Sequence, residues 1–289
     1  MTDTPPAPRK PRDDELDRFG LSHQGLLRKE NQDHFLMASF HKRVHVQFSN
    51  VRDIHERMPS EEQRLAYLAM VADGVGGGQG GGEASAIALE AAMRYVDSAI
   101  STYYGARYDG NEFGALLQAA ALRAHESVLA RRIEQGIRGT MATTLTLYIG
   151  VWPVYYVLQV GDSRYYLWRD GALMQLTRDQ TMAQDLVDDG VMSRADAART
   201  PFANVLSSAI GADTSAPVVT RLDFDWNNVH LLCSDGLTKH VSDSRIAEVL
   251  GNMTSAKQAC EVLVQDALDG GGSDNITVII SRAVSKAMA

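Results

Sequence analysis

The chain has 289 residues, 45% hydrophobic and 22% charged, the composition of an ordinary globular protein with one large domain or two small ones. A formal net charge of −8 argues against a nucleic-acid reader, which would carry a basic face. Two cysteines, Cys233 and Cys260, cannot build a disulfide framework, so a reducing, cytoplasmic setting is expected.

The chain opens with "MTDTPPAPRKPRDDELD", polar and proline-rich with no apolar core. It is neither a signal peptide nor a membrane anchor, and residues 1–17 are expected to be a disordered tail before a domain over 18–284. The stretch "RKENQDHF" then offers Arg28 and, five residues on, Asp33. Residues 41–64 are charged and irregular, an excursion in which no function is readable. An apolar strand over 67–72 follows and runs straight into "DGVGGGQGGGEAS".

Two long helices come next. Leu89, Met93, Val96, Ile100 and Tyr103 recur at helical spacing, as do Phe113, Leu117, Ala120, Ala124 and Val128. Each set predicts one apolar face packed on a sheet. Residues 140–160 are long enough to span a membrane but carry four threonines, with Gly150 and Pro153 near the middle. Two strands joined by a turn at 150–153 explain this stretch better, because both halves are rich in β-branched and aromatic residues. Further strands are predicted over 164–168, 218–224, 229–233 and 276–280, with "RDGAL" as a tight turn that favours antiparallel pairing. A helix over 242–250 capped by Ser242 and another over 256–268 complete the chain. Helices in pairs and strands in runs point to an α+β or layered sandwich fold, not to alternating βαβ units. The chain ends soon after its last strand, so no kinase or receptor region is expected.

Four segments place an aspartate beside an apolar run and next to glycine, serine or asparagine: "VADGVGG" (Asp73), "LQVGDSR" (Asp162), "LLCSDGL" (Asp235) and "GGSDNITVII" (Asp274). One such residue is ordinarily a turn former. Four of the same kind, on strands lying side by side, would bring their carboxylates into one pocket. Packed together they would repel unless protonated or bridged by cations. Oxygen donors without His or Cys at metal spacing point to Mg²⁺ or Mn²⁺. Two such ions about 3.5–4 Å apart suit in-line attack on phosphorus. Glycine after Asp73 lets backbone approach closely, so that the Gly74 carbonyl also becomes a candidate ligand.

Arg28 with "NQD", "VADGVGG…GGEAS", "GTMATTL", "VGDSRYYLWRDG", "LTRDQT", "LLCSDGLTKHV" and "SDNITV" occur in the order and approximate spacing of the metal-dependent protein phosphatases of the 2C type (the PPM family), in their bacterial form. The resemblance covers roughly residues 18–282, and seven weak motifs in order make a strong signal. It implies a four-layer α-β-β-α sandwich with two antiparallel sheets flanked by helix pairs, and the hydrolysis of phosphoserine and phosphothreonine on proteins. It implies that Asp73 bridges two Mg²⁺ or Mn²⁺ ions, with the Gly74 carbonyl on the first and Asp235 and Asp274 on the second. Asp33 would steady water on the metals, and Asp162 with Asp235 would hold a third, weaker ion. Arg28 matches the arginine that grips the substrate phosphate, a task suited to a planar two-pronged guanidinium. Asn275 would support the site from behind. Thr140, Thr143 and Thr144 are read as sheet residues, and the eight histidines as surface or packing residues. A metal-bridging hydroxide would attack phosphorus directly, and neither cysteine sits in a CxxxxxR nucleophile loop.

Two positions depart from the pattern. Some animal relatives have a histidine two residues after the bridging aspartate, whereas this chain has Val75, so no general acid is assigned. Many bacterial relatives read Asp-His-Ser/Thr where this chain has Asp179, Gln180 and Thr181, at the opening of a variable flap over about 179–209. Dinucleotide binding is a rival, because Gly76, Gly78 and Gly81 fit G-x-G-x-x-G. Its acidic partner would be Asp97, inside a helical pattern and not at a strand end. A catalytically silent relative acting as a phosphoprotein-binding or sensing module is the other alternative, opposed by the retention of every metal aspartate and Arg28. The expected partners are phosphorylated Ser/Thr proteins and a separate cognate Ser/Thr kinase, with no nucleic acid and no membrane, and the chain is expected to be a monomer.

Overall fold

The computed structural model describes residues 9–42, 63–76, 80–103, 110–197 and 199–285. In chain order the strands are Leu16–His23 (β1), Asp33–Lys42 (β2), Gln63–Val75 (β3), Ala142–Thr143 (β4), Leu145–Val151 (β5) and Val154–Val160 (β6). They continue with Arg164–Arg169 (β7), Ala172–Gln175 (β8), Val218–Asp223 (β9), Val229–Cys233 (β10) and Ile276–Ala283 (β11). Helices are Gly80–Tyr103 (α1), Gly110–Glu134 (α2), Met182–Asp188 (α3), Arg194–Ala197 (α4), Asp235–Thr238 (α5), Asp243–Gly251 (α6) and Ala256–Asp269 (α7).

One sheet has the order β1-β11-β10-β7-β8, the other β2-β3-β5-β6-β9, with β4 pairing β3 off that path. All neighbours are antiparallel. The alternation of side chains along a strand explains how three apolar seams hold four layers. In β3, Leu68, Met70 and Ala72 pack with α1 and α2, while Tyr67, Ala69 and Val71 face the other sheet. In β10, Leu231 and Cys233 join the seam with α6 and α7, while Leu232 joins the seam between the sheets. His230 lies there too, stacked on Tyr148 at 4.7 Å and bonded through Nδ1 to the Tyr165 hydroxyl at 2.5 Å. Burial pushes its pKa down to about 3, so it is a neutral packing residue. The α+β, four-layer α-β-β-α sandwich is therefore the observed architecture.

The helical periodicities match α1, α2, α6 and α7, and Ser242 accepts the Arg245 N–H at 3.3 Å as the cap of α6. The stretch considered for membrane insertion contains β4, β5 and β6, with β5 and β6 forming a hairpin. No helix among the described residues is long and apolar enough to cross a membrane. The structure adds β1, β2, the two-residue β4 and β8 to the strands read from the sequence. β1 and β2 are edge strands, half-exposed along much of their length, and so lack a long apolar run.

The tail expected to reach residue 17 meets structure earlier. Asp13–Glu15 form a 3₁₀ turn, Glu15 is buried, and Arg9 grips it through bonds of 2.6 and 2.7 Å. Residues 1–8 lie outside the described residues, as does most of the 41–64 excursion. Gly78 of the dinucleotide-type glycine pattern also lies outside them, and Asp97 sits within α1, away from any strand end.

Candidate active site

Antiparallel pairing puts the start of one strand beside the end of its neighbour. At one end of the sandwich this collects the start of β2, the end of β3, the β6–β7 turn, the β10–α5 junction and the start of β11. Asp33 and Asp73 are direct cross-strand partners on β2 and β3. Asp162 occupies the β6–β7 turn, Asp235 the first position of α5, and Asp274 the loop before β11. Burial is the first cause that drives the Asp73 carboxyl well above the usual carboxylate range, and Asp33, Asp235, Asp162 and Asp274 each push it further. Carboxylates far apart in sequence thus share one field.

The glycines beside Asp73 answer a packing demand. A Cβ on Gly74 would stand 2.4 Å from the backbone carbon and oxygen of Gly81, where α1 begins. Gly76 has φ +146°, and its Cβ would meet the Thr140 carbonyl at 2.6 Å. Strand end and helix start therefore touch backbone to backbone. Thr143 on β4 and Thr144 between β4 and β5 are buried and hold this turn, whereas Thr140, expected in the sheet, is exposed and lies outside the strands. Thr144 Oγ1 accepts the Asp73 N–H at 2.9 Å, and the Thr143 hydroxyl donates to the Asp73 carbonyl at 2.9 Å.

Asp33 ties the two sheets together, because the Ser234 and Thr277 hydroxyls both donate to its Oδ2 at 2.7 Å. Burial raises its pKa to about 6 against those two bonds, with Asp235 adding to the rise. Burial also lifts Asp162 to about 8, assisted by Asp235 and Asp179. Asp274 goes the other way. Burial would raise it, but bonds from Arg28 and Lys239 outweigh that and lower its pKa. Arg28 forms a two-pronged pair with Asp274, Nε to Oδ1 and Nη2 to Oδ2, each 2.7 Å.

Asn275 has a structural task. It accepts the Gln32 N–H at 2.9 Å and donates to the Gln24 and Glu30 carbonyls at 2.8 and 2.9 Å, clamping the loop that carries Arg28. All eight residues singled out from the sequence, Arg28, Asp33, Asp73, Gly74, Asp162, Asp235, Asp274 and Asn275, therefore come together at this end.

Sequence reasoning missed Lys239. Its ammonium lies 2.6 Å from Asp235 Oδ2 and 2.7 Å from Asp274 Oδ2. The signal was the spacing Asp235 to Lys239, one helical turn, which by itself reads as an ordinary surface pair. Gln180 was noticed only as a departure. It is buried, accepts the Gly161 N–H at 2.8 Å and donates to the Ala216 carbonyl at 2.9 Å. It thereby anchors the base of the flap next to Asp162. Asp179 is held beside it by Arg164, Nη2 to Oδ2 at 2.7 Å. A groove of about 630 Å³ adjoins the carboxylates, lined by Asp162, Asp235 and Lys239 and, from the flap, by Thr181, Arg194 and Asn204.

Among the described residues no three His, Cys, Asp or Glu side chains already stand in a metal-holding arrangement; Arg28 and Lys239 engage Asp274 and Asp235 instead. The donor set nevertheless fits a hard cation. Asp33 Oδ1 and Asp235 Oδ1 are buried with no hydrogen-bond partner. Five carboxylates face two cations, an excess that protons or added cations must cover.

A family model described as protein phosphatase 2C matches residues 52–270. Serine/threonine protein phosphatase PstP of Mycobacterium tuberculosis is 35% identical over 223 residues, which are 76% of this chain and 41% of that protein. This chain therefore spans less than half the length of PstP. Serine/threonine phosphatase stp of Listeria monocytogenes is 34% identical over 215 residues, 74% of this chain and 83% of the relative. A crystal structure of the PstP catalytic domain in complex with two manganese ions is similar with a TM-score of 0.71 at 28% identity, over 93% of this chain and 99% of that one.

Proposed function

This chain belongs to the protein phosphatase 2C family, and we propose that it is a metal-dependent protein serine/threonine phosphatase. The observation that carries the reading is the convergence of Asp33, Asp73, Asp162, Asp235 and Asp274 from both sheets onto one buried field. Such a field has little use unless cations enter it. Asp73, the Gly74 carbonyl, Asp235 and Asp274 would hold two Mg²⁺ or Mn²⁺ ions, as the PstP catalytic domain holds manganese. Asp162 with Asp235 would hold a third, weaker one. Divalent ions held there would lower the pKa of bound water and neutralise charge on the phosphoryl oxygens.

The chain's own side chains do the rest. Arg28 is half-exposed at the mouth of the site, and its guanidinium can exchange the two oxygens of Asp274 for two oxygens of a phosphate. Asp33 keeps one oxygen bonded to Ser234 and Thr277 and the other uncommitted, which suits it to orient water and accept its proton. Cys233 and Cys260 are buried, and burial pushes both thiols up to about 12, so neither is a nucleophile. The groove beside the carboxylates leaves room for an extended phosphoserine or phosphothreonine peptide. A separate Ser/Thr kinase would create the substrates, and a cytoplasmic location is part of this proposal.

Hydrolysis of a phosphothreonine peptide with Mn²⁺, and again with excess chelator, tests the reading. Turnover that appears with Mn²⁺ and vanishes with chelator is expected. No metal-stimulated turnover would leave a phosphoprotein-binding module as the better account.

A further inference from the structure

Lys239 is the one charged group of the acidic centre that the phosphatase reading leaves without a task. It closes the single turn of α5, its N–H bonding to the Asp235 carbonyl at 2.9 Å, so backbone geometry fixes its stem one turn beyond Asp235. Its side chain is only 26% exposed, and its ammonium bridges Asp235 and Asp274, the two carboxylates assigned to the second ion. Asp162 feels it as well: burial, Asp235 and Asp179 raise that carboxyl, and Lys239 pulls it down. An ammonium at 2.6–2.7 Å and a divalent ion cannot both claim the same oxygens at close range without repelling one another. The groove of about 630 Å³ that Lys239 lines gives its four-carbon stem a place to swing into.

We infer that Lys239 is a built-in cation of this site: it holds Asp235 and Asp274 together while no divalent ion is there, and must be displaced for the second ion to enter. This rests on the phosphatase reading of the site. It makes Lys239 an intramolecular competitor, which reduces the apparent affinity of the second ion to the intrinsic value multiplied by the fraction of time the ammonium is away. It also gives the metal-free protein a counter-ion that keeps neighbouring acids from forcing the strand ends apart.

The test is Mn²⁺ titration by calorimetry of the chelator-stripped protein, with a melting curve of each stripped sample. Lys239→Gln and Lys239→Ala should tighten the second of the successive Mn²⁺ binding events by about tenfold or more, as expected if the ammonium is in place at least nine-tenths of the time. Both should also lower the metal-free melting temperature by about 2–4 °C. Lys239→Arg keeps the charge and should stay within about threefold of the wild-type affinity. Unchanged or weaker Mn²⁺ binding in both Lys239→Gln and Lys239→Ala overturns the inference, as does Lys239→Arg behaving like Lys239→Gln. Asp73→Asn separates this from failure of the site reading. If the wild type takes up no Mn²⁺, or Asp73→Asn takes it up equally well, the metal centre itself is wrong. If Asp73→Asn binds poorly while Lys239→Gln matches the wild type, only the role of Lys239 falls.

Discussion

Asp73 feels every other acid of the centre, and Asp33 stands directly across from it on the next strand. Asp73→Asn removes a charge while keeping size, so it should reduce turnover by about a hundredfold or more and weaken Mn²⁺ uptake, measured by kinetics and calorimetry on one preparation. Arg28 works differently, because it is half-exposed and reaches the site from a loop. Arg28→Ala should raise KM for a phosphopeptide by about tenfold, the loss expected for one charge-assisted contact. An unchanged KM would count against its phosphate role. Asp73, Asp162, Asp235 and Asp274 were legible in the sequence because each adjoins an apolar run and a turn-forming neighbour. Lys239 was not, because a lysine four residues after an aspartate is common on any helix. Only the fold shows that Asp274 meets the same ammonium from the other side.

Among the elements, the loop between β1 and β2 depends on Asn275, whose amide makes three bonds to its backbone. Asn275→Ala leaves those groups unpaired and should cost about 2–3 kcal/mol in denaturant unfolding. It should also raise KM in the same direction as Arg28→Ala, because the loop that presents Arg28 loses its clamp; a stability loss with unchanged KM would show that the loop holds itself. The long helices and the central strands β5, β6 and β10 were readable because burial on one or both faces forces apolar periodicity. β1 and β2 escaped because they are sheet edges with polar residues interspersed. The flap anchor escaped for another reason. Gln180 meets Gly161 and Ala216, contacts across 19 and 36 residues that no local pattern announces.

For the molecule as a whole, the acidic centre is a strain that two sheets jointly bear. In the metal-free protein Asp33 and Asp162 have pKa values raised to about 6 and about 8, and Asp73 lies well above its usual range. A raised folded-state pKa means that the folded chain binds more protons than the unfolded one, so stability falls as pH rises. With chelator present, the melting temperature should therefore drop from about pH 5 through about pH 8. Mn²⁺ should remove most of that slope by neutralising the same carboxylates. A chelated protein that grows more stable across this window would mean that the acids are not buried together. The layer order was legible as a class, from strands in runs and helices in pairs; the meeting of both sheets at Asp33 was not, because Ser234 and Thr277 lie more than 200 residues away from it in sequence.

The central claim is that carboxylates from both sheets converge to hold divalent ions. An anomalous difference map from a Mn²⁺-loaded crystal tests it most directly. The account predicts peaks enclosed by Asp73, Asp235 and Asp274, with the Lys239 ammonium drawn away from Asp235. A fully loaded crystal with no peak among these carboxylates, or with Arg28 and Lys239 still closed on Asp274, would contradict it.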